Sequence, residues 1–65
     1  MNLTQRQKQI LKLLAQGLSC KQIAWELNIS SKTVETHIQK IRDGHNCHCV
    51  ALLTRLAIRE GLVAA

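Results

Sequence analysis

At 65 residues the chain has room for one domain with one small hydrophobic core, so its stability should be modest. A single aromatic residue argues against a small β-barrel or β-sandwich, and the absence of proline leaves few positions that interrupt a helix, so an all-α fold is expected. Nine lysines and arginines against four acidic residues give a net charge of +5, which indicates a polyanionic partner, either nucleic acid or a membrane surface.

Other features of the sequence argue against membrane, secreted and catalytic classes of protein. No apolar run approaches the ~20 residues that cross a bilayer, and polar residues 5–9 interrupt any apolar core of a signal peptide. Cys20, Cys47 and Cys49 are odd in number and make a poor disulfide framework, so a reducing cytoplasm is the expected location. Few carboxylates and no phosphate-binding loop argue against an enzyme, and no cofactor is expected.

The first two predicted helices each begin with a capping box, in which a hydroxyl residue and the glutamine three positions later satisfy backbone donors. These boxes are Thr4 with Gln7 for helix 1, over about residues 4–16, and Ser19 with Gln22 for helix 2, over about residues 20–27. Apolar residues at helical spacing predict the buried faces, namely Ile10, Leu11 and Leu14 in helix 1 and Ile23, Ala24 and Leu27 in helix 2. Gly17 suits the end of helix 1.

A tight turn at residues 28–30 is predicted to lead into helix 3, over about residues 31–42. Asn28 tolerates left-handed backbone geometry, and Ser30 suits the N-cap of the next helix. Val34, Ile38 and Ile41 fall on one face of helix 3, whereas the opposite face carries only polar residues. These polar residues are Lys32, Thr36, Gln39 and Asp43, flanked by Glu35 and Lys40. Two short helices joined by a tight turn are the plan of a helix-turn-helix.

The last part of the chain is predicted to form a loop at residues 43–46 and helix 4 over about residues 50–60. Leu53, Leu56 and Ala57 make one apolar face of helix 4, and Leu52 broadens it. Gly61 is the expected end of this helix.

With these elements in order, the chain resembles the LuxR-type (GerE-like) helix-turn-helix DNA-binding domain of bacterial transcription regulators over nearly its whole length. The matching segments are Leu3-Thr4-x-Arg6, Ile10-Leu11-x-Leu13-Leu14-Ala15-Gln16-Gly17, Lys21-x-Ile23-Ala24-x-x-Leu27-x-Ile29-Ser30, Thr33-Val34-x-Thr36-His37 and Arg55-Leu56-Ala57-Ile58-Arg59-Glu60-Gly61-Leu62. The resemblance implies a single four-helix domain over residues 1–65, with helix 3 in the major groove of double-stranded DNA. It also implies that helix 4 commonly pairs two copies about a two-fold axis.

The resemblance further implies which residues meet DNA. Base edges would be read by Glu35, Thr36 and Gln39, nearly the same stripe that helical spacing selects, and phosphates would be held by Ser31, Lys32, Thr33 and Lys40. Among the other charges Lys21 is the best phosphate candidate, because helix 2 crosses the DNA backbone. A homodimer through helix 4 would use Leu52, Leu56 and Arg59 or their neighbours.

One departure from the family pattern lies on the predicted reading face. The family usually carries lysine at the position of Glu35. A carboxylate near phosphates lowers affinity, but it can accept a hydrogen bond from the amino group of cytosine. Glu35 is therefore either a specificity element or a surface partner of Lys32 or Gln39.

The other main departure is the segment from Gly44 to Val50, where Cys49 takes the place of the usual asparagine cap of helix 4. It contains His45, Cys47, His48 and Cys49, which are metal-ligand types. A structural zinc site usually draws ligands from two separated elements, so no metal is expected, and Cys47 should fill a small apolar slot.

Two further residues keep alternative interpretations. His37 either donates to a phosphate or packs half-buried, and Trp25 is either a partly exposed packing residue or a partner contact.

The leading prediction is a sequence-specific regulator of transcription that binds a pseudo-palindromic site as a homodimer. The alternative is a small interaction module that dimerises with a larger regulator of the same family, and RNA polymerase is a further candidate partner. Neither function requires a membrane.

Overall fold

The computed structural model describes residues 3–47 and 49–64, and these residues form helices without any strand. The helices are α1 (Gln5–Ala15), α2 (Cys20–Leu27), α3 (Ser31–His45) and α4 (Val50–Arg59). The all-α, four-helix fold expected from the sequence is therefore confirmed.

Both predicted capping boxes are formed. The Thr4 hydroxyl accepts from the Gln7 backbone N–H at 3.1 Å, and the Gln7 side chain accepts from the Thr4 N–H at 2.9 Å. Ser19 and Gln22 make the same reciprocal pair at 3.2 and 2.8 Å. Each hydroxyl cap contributes about 1 kcal/mol to the stability of its helix. The first residues of α1 and α2 are therefore determined by local sequence.

The turn between α2 and α3 has the predicted geometry. Asn28 adopts left-handed backbone angles, φ 56° and ψ 45°. The Ile29 N–H then returns to the carbonyl oxygen of Ala24 at 3.0 Å. Ser30 caps α3 through a bond of 3.1 Å from the Thr33 N–H to its hydroxyl. These bonds fix the angle at which α3 leaves α2.

One apolar core holds the helices together. It consists of Leu3, Ile10, Leu11, Ile23, Ala24, Val34, Ile38, Ile41, Cys47, Leu53, Leu56 and Ala57. Helix α1 packs against each of the other three helices, and α2 packs against α3. The buried faces predicted from apolar spacing are present, with Leu14 and Leu27 half-buried at the edge of the core.

The end of helix 3 differs from the prediction. A loop was expected from Asp43 onwards, but α3 continues through Gly44 to His45. The helix ends at Asn46, which adopts left-handed angles of φ 56° and ψ 39°, and the Cys47 N–H bonds the carbonyl oxygen of Arg42 at 3.0 Å. An asparagine thus provides the left-handed stop that glycine often provides, and Gly44 is tolerated inside the helix at about 1 kcal/mol.

The connection to α4 is held by Cys47, which is buried in the core as expected. Its thiol lies 3.5 Å from the His45 carbonyl oxygen and 3.9 Å from that of Leu52. Cys49 occupies the N-cap of α4 with no side-chain cap hydrogen bond. His48 lies outside the described residues, and among the described ones no cluster of three or more possible metal ligands is found.

The left-handed stop at Asn46 makes a prediction about stability. Asn46→Gly should leave the free energy of unfolding nearly unchanged, whereas Asn46→Ala should lower it by about 1–2 kcal/mol, because alanine has the Cβ atom that disfavours left-handed angles but lacks the polar side chain by which asparagine tolerates them. Urea denaturation followed by circular dichroism measures both. Gln16 is the matched control, since it is the right-handed C-cap of α1. At Gln16 the alanine variant should be at least as stable as the glycine variant. If alanine and glycine ranked in the same order of stability at Gln16 and at Asn46, the assigned end of α3 would be contradicted.

Candidate nucleic-acid interface

The exposed side of α3 carries a set of polar side chains that share one shallow surface depression of about 430 Å³. We define this set as the outward face of α3; it consists of Lys32, Glu35, Thr36, Gln39 and Lys40. All of them are exposed. The structure therefore brings together the residues predicted to read bases and two of the lysines predicted to hold phosphates.

The opposite side of α3 holds this face in place. Val34, Ile38 and Ile41 are buried in the core, so the helix cannot rotate about its axis without exposing them. With 15 residues, α3 is about 22 Å long. The major groove of B-DNA is about 12 Å wide and admits an α-helix. The outward face therefore has the size and the fixed orientation needed to read base edges.

Two hydrogen bonds restrict side chains of this face. The Thr36 hydroxyl donates to the carbonyl oxygen of Lys32 at 3.0 Å, which leaves its oxygen lone pairs and its methyl group for a ligand. The Gln39 amide nitrogen donates to a carboxylate oxygen of Asp43 at 3.0 Å. Lys32 and Gln39 were the two candidate surface partners of Glu35. Of these, Gln39 bonds to Asp43 rather than to Glu35.

The other phosphate candidates differ in how accessible they are. Lys21 is exposed in the first turn of α2, and Thr33 is exposed in the first turn of α3. The Thr33 hydroxyl lies 2.9 Å from that of Ser30, while Ser31 is half-buried. The positive end of the α3 dipole and the backbone N–H groups of its first turn add to the attraction for an anion there.

The structure favours the packing interpretation for His37 and argues against it for Trp25. The His37 side chain is half-buried, and its Nδ1 atom is shielded from solvent with no hydrogen-bond partner among the described residues. This favours the packing interpretation of His37. Trp25 is 83% exposed, so the packing interpretation of this residue is wrong within a single copy of the chain.

The residues predicted for a dimer surface on α4 are only partly accessible. Arg59 is exposed and Leu52 is half-buried, but Leu56 is only 2% exposed and belongs to the core. The prediction for Leu56 is therefore wrong, because its helical position aligns it with Leu53 and Ala57 towards α1. Apolar spacing had already grouped Leu56 with these two residues, and the structure shows that this grouping, not the dimer surface, describes its position.

The apolar residues that α4 leaves in solvent are different ones. Val50 is 51% exposed and Ile58 is 38% exposed. Ile58 lies on the same side of the helix as the exposed residues Ala51 and Arg55. We define Ala51, Arg55 and Ile58 as the outward face of α4.

Comparison with known proteins identifies relatives of the chain. The profile of the bacterial regulatory proteins of the luxR family matches residues 1–57. The uncharacterized response regulatory protein YgeK of Escherichia coli K12 is 42% identical over 60 residues, which cover 92% of this chain and 41% of YgeK. The response regulator UvrY of the same strain is 36% identical over 64 residues, covering 98% of this chain and 29% of UvrY. The transcriptional regulatory protein FixJ of Azorhizobium caulinodans is 35% identical over 63 residues, covering 97% of this chain and 30% of FixJ.

The chain thus spans less than half the length of each of these relatives. No solved structure matches it at a significant level. None of the helices in the described part of the chain has the length and apolarity needed to span a bilayer.

The different burial of two apolar residues on α4 predicts different costs of truncation. Leu56→Ala should lower the free energy of unfolding by about 2–5 kcal/mol, because it leaves a cavity in the core. Ile58→Ala, the matched control on the outward face of α4, should cost less than about 1 kcal/mol when unfolding is followed at a concentration at which the chain is a monomer. Thermal and urea unfolding of both variants measure the difference. Equal costs would contradict the assigned rotation of α4.

Proposed function

The chain belongs to the luxR family of bacterial regulatory proteins, and from this premise we propose that it binds specific sites on double-stranded DNA. Domains of this family are the DNA-binding parts of transcription regulators. The finer proposal for this chain is that α3 enters the major groove and that two copies bind together. It would act on transcription in the bacterial cytoplasm.

The outward face of α3 is the observation that supports this function. Its side chains are hydrogen-bonding groups held on one side of a helix whose other side lies in the core. Reading a base edge requires such groups at fixed positions. The net charge of +5 adds attraction to any DNA sequence. The polar face can therefore provide specificity, while the basic charge provides most of the affinity.

We assign base reading to Glu35, Thr36 and Gln39, because they lie on the outward face within one turn of each other. Phosphate contacts are assigned to Lys21, Ser31, Lys32, Thr33 and Lys40, which flank this stripe or lie in the first turns of α2 and α3. Such contacts set the register of the protein on the duplex and carry no sequence information themselves.

We further propose that the homodimer forms through α4. Val50 and Ile58 present apolar surface to solvent, and the half-buried Leu52 lines a surface depression of the same helix together with Arg55 and Arg59. Covering this surface with a second copy would remove it from water. A two-fold dimer of helix-turn-helix domains binds half-sites about one helical turn apart, so the preferred DNA site should be a pseudo-palindrome.

Selection from a random pool of double-stranded DNA tests the proposal. The 65-residue chain should enrich a pseudo-palindromic sequence, and titration at two salt concentrations should show binding well above that to unrelated DNA. Weak binding without sequence preference, lost as salt is raised, would overturn it. The interaction module that pairs with a larger regulator of the same family would then be the better explanation of the exposed α4 surface.

Two neighbouring substitutions separate base reading from phosphate binding. Gln39→Ala should relax the preference at one base pair of the selected site, by about 1–3 kcal/mol for a bidentate contact. Lys40→Ala should weaken binding to all sequences alike and reduce the slope of log K against log salt by about 1. Titration against single-base-pair variants of the site measures both effects. A changed base preference in the Lys40 variant would contradict this division of roles.

A further inference from the structure

We infer that Asp43 is a positioning residue, which holds the Gln39 amide in the orientation that reads an adenine. This inference rests on the proposed DNA-binding function and deepens it. The Gln39 amide nitrogen donates to Asp43 Oδ1 at 3.0 Å, and both side chains are exposed one helical turn apart. The pair therefore extends the outward face of α3 towards its C-terminal end.

The chemistry of the two groups determines which way the amide points. An ionised carboxylate can only accept hydrogen bonds, whereas an amide has an accepting oxygen and a donating nitrogen. The bond therefore requires the nitrogen of Gln39 to lie next to Asp43 and its Oε1 to lie away from it. The flipped amide would place two oxygen atoms against each other. Asp43 thus excludes one of the two side-chain amide orientations that a free glutamine on a helix surface would adopt.

The orientation that remains is suited to adenine. Bidentate reading of adenine requires the glutamine oxygen to accept from the N6 amino group and the glutamine nitrogen to donate to N7. Asp43 occupies one N–H of Gln39, and the amide nitrogen carries a second N–H. The second N–H and Oε1 therefore remain for the base. A side chain that is already oriented loses less conformational entropy on binding, so the contact should discriminate more strongly.

The length of α3 makes this pair possible. Residues four positions apart lie on the same side of a helix only where the helix is continuous. Helix α3 continues through Asp43 and Gly44 to His45. A helix that ended at Arg42 would have left Asp43 in a loop, with no fixed relation to Gln39.

The charge of Asp43 acts on binding in a second way. The chain has only four acidic residues against nine basic ones, and Asp43 places a negative charge beside the predicted phosphate contacts. This charge should weaken binding to any DNA sequence, while the orientation of Gln39 favours the correct one. The first effect lowers the affinity for all sequences alike, and only the second increases the ratio of specific to non-specific affinity.

Substitutions at Asp43 separate these two effects. Asp43→Asn removes the charge but keeps an oxygen that can accept from Gln39, so binding to unrelated DNA should tighten while the preference at one A·T base pair is retained. Asp43→Ala removes both, so the same tightening should come with a loss of about fivefold or more in that preference. Gln39→Ala should remove the same preference, and adding Asp43→Ala to it should cause no further loss.

Titration of the full chain and these variants against the selected site and its three substitutions at that base pair measures each preference. Circular dichroism should show unchanged helicity in all variants, because both side chains are exposed. Full retention of the preference by Asp43→Ala would overturn the inference. A further loss in the double variant would do the same, because Asp43 would then act independently of Gln39. Failure of the unsubstituted chain to prefer any site would instead overturn the proposed function.

Discussion

The apolar stripe on α3 is the constraint on which the rest of the structure depends. Val34, Ile38 and Ile41 are buried in the core shared with the other helices, and burying each contributes roughly 1.5–3 kcal/mol relative to exposure. Rotating α3 about its axis would pull this stripe into water. The outward face of α3, although it lies in solvent, is therefore oriented by residues on the other side of the helix.

Two asparagines in left-handed geometry decide where that helix begins and ends. Asn28 turns the chain out of α2, so that Ser30, two residues later, can cap α3. Asn46 ends α3 after His45 and directs the chain towards α4, with Cys47 buried beneath the connection. The added turn at the end of α3 brings Asp43 into register with Gln39. Backbone conformation at single residues thus controls which polar groups share a surface.

The charges of the chain divide between affinity and specificity. A net charge of +5 attracts any polyanion, and such attraction by itself does not distinguish one DNA sequence from another. Glu35 and Asp43 place negative charge on the same side of the helix that faces the proposed ligand. Their charge should lower the affinity for DNA of any sequence. It also provides acceptors that a purely basic surface lacks, one of which restrains Gln39.

Local sequence by itself determined the helices, the caps and most of the core. Three kinds of signal act within a few residues, namely capping boxes, the 3.6-residue apolar period and left-handed asparagine. Each can therefore be recognised in the sequence without knowing which helix packs against it. The polar stripe of α3 was predictable for the same reason. Only the tertiary structure showed that α3 runs on to His45, that Leu56 is too deeply buried to belong to a dimer surface and that Trp25 stays in solvent. An apolar residue on a helix with several apolar positions has no local signal that says which neighbour covers it. The hydrogen bond between Gln39 and Asp43 likewise depends on where α3 ends, and local helix propensity did not predict that end.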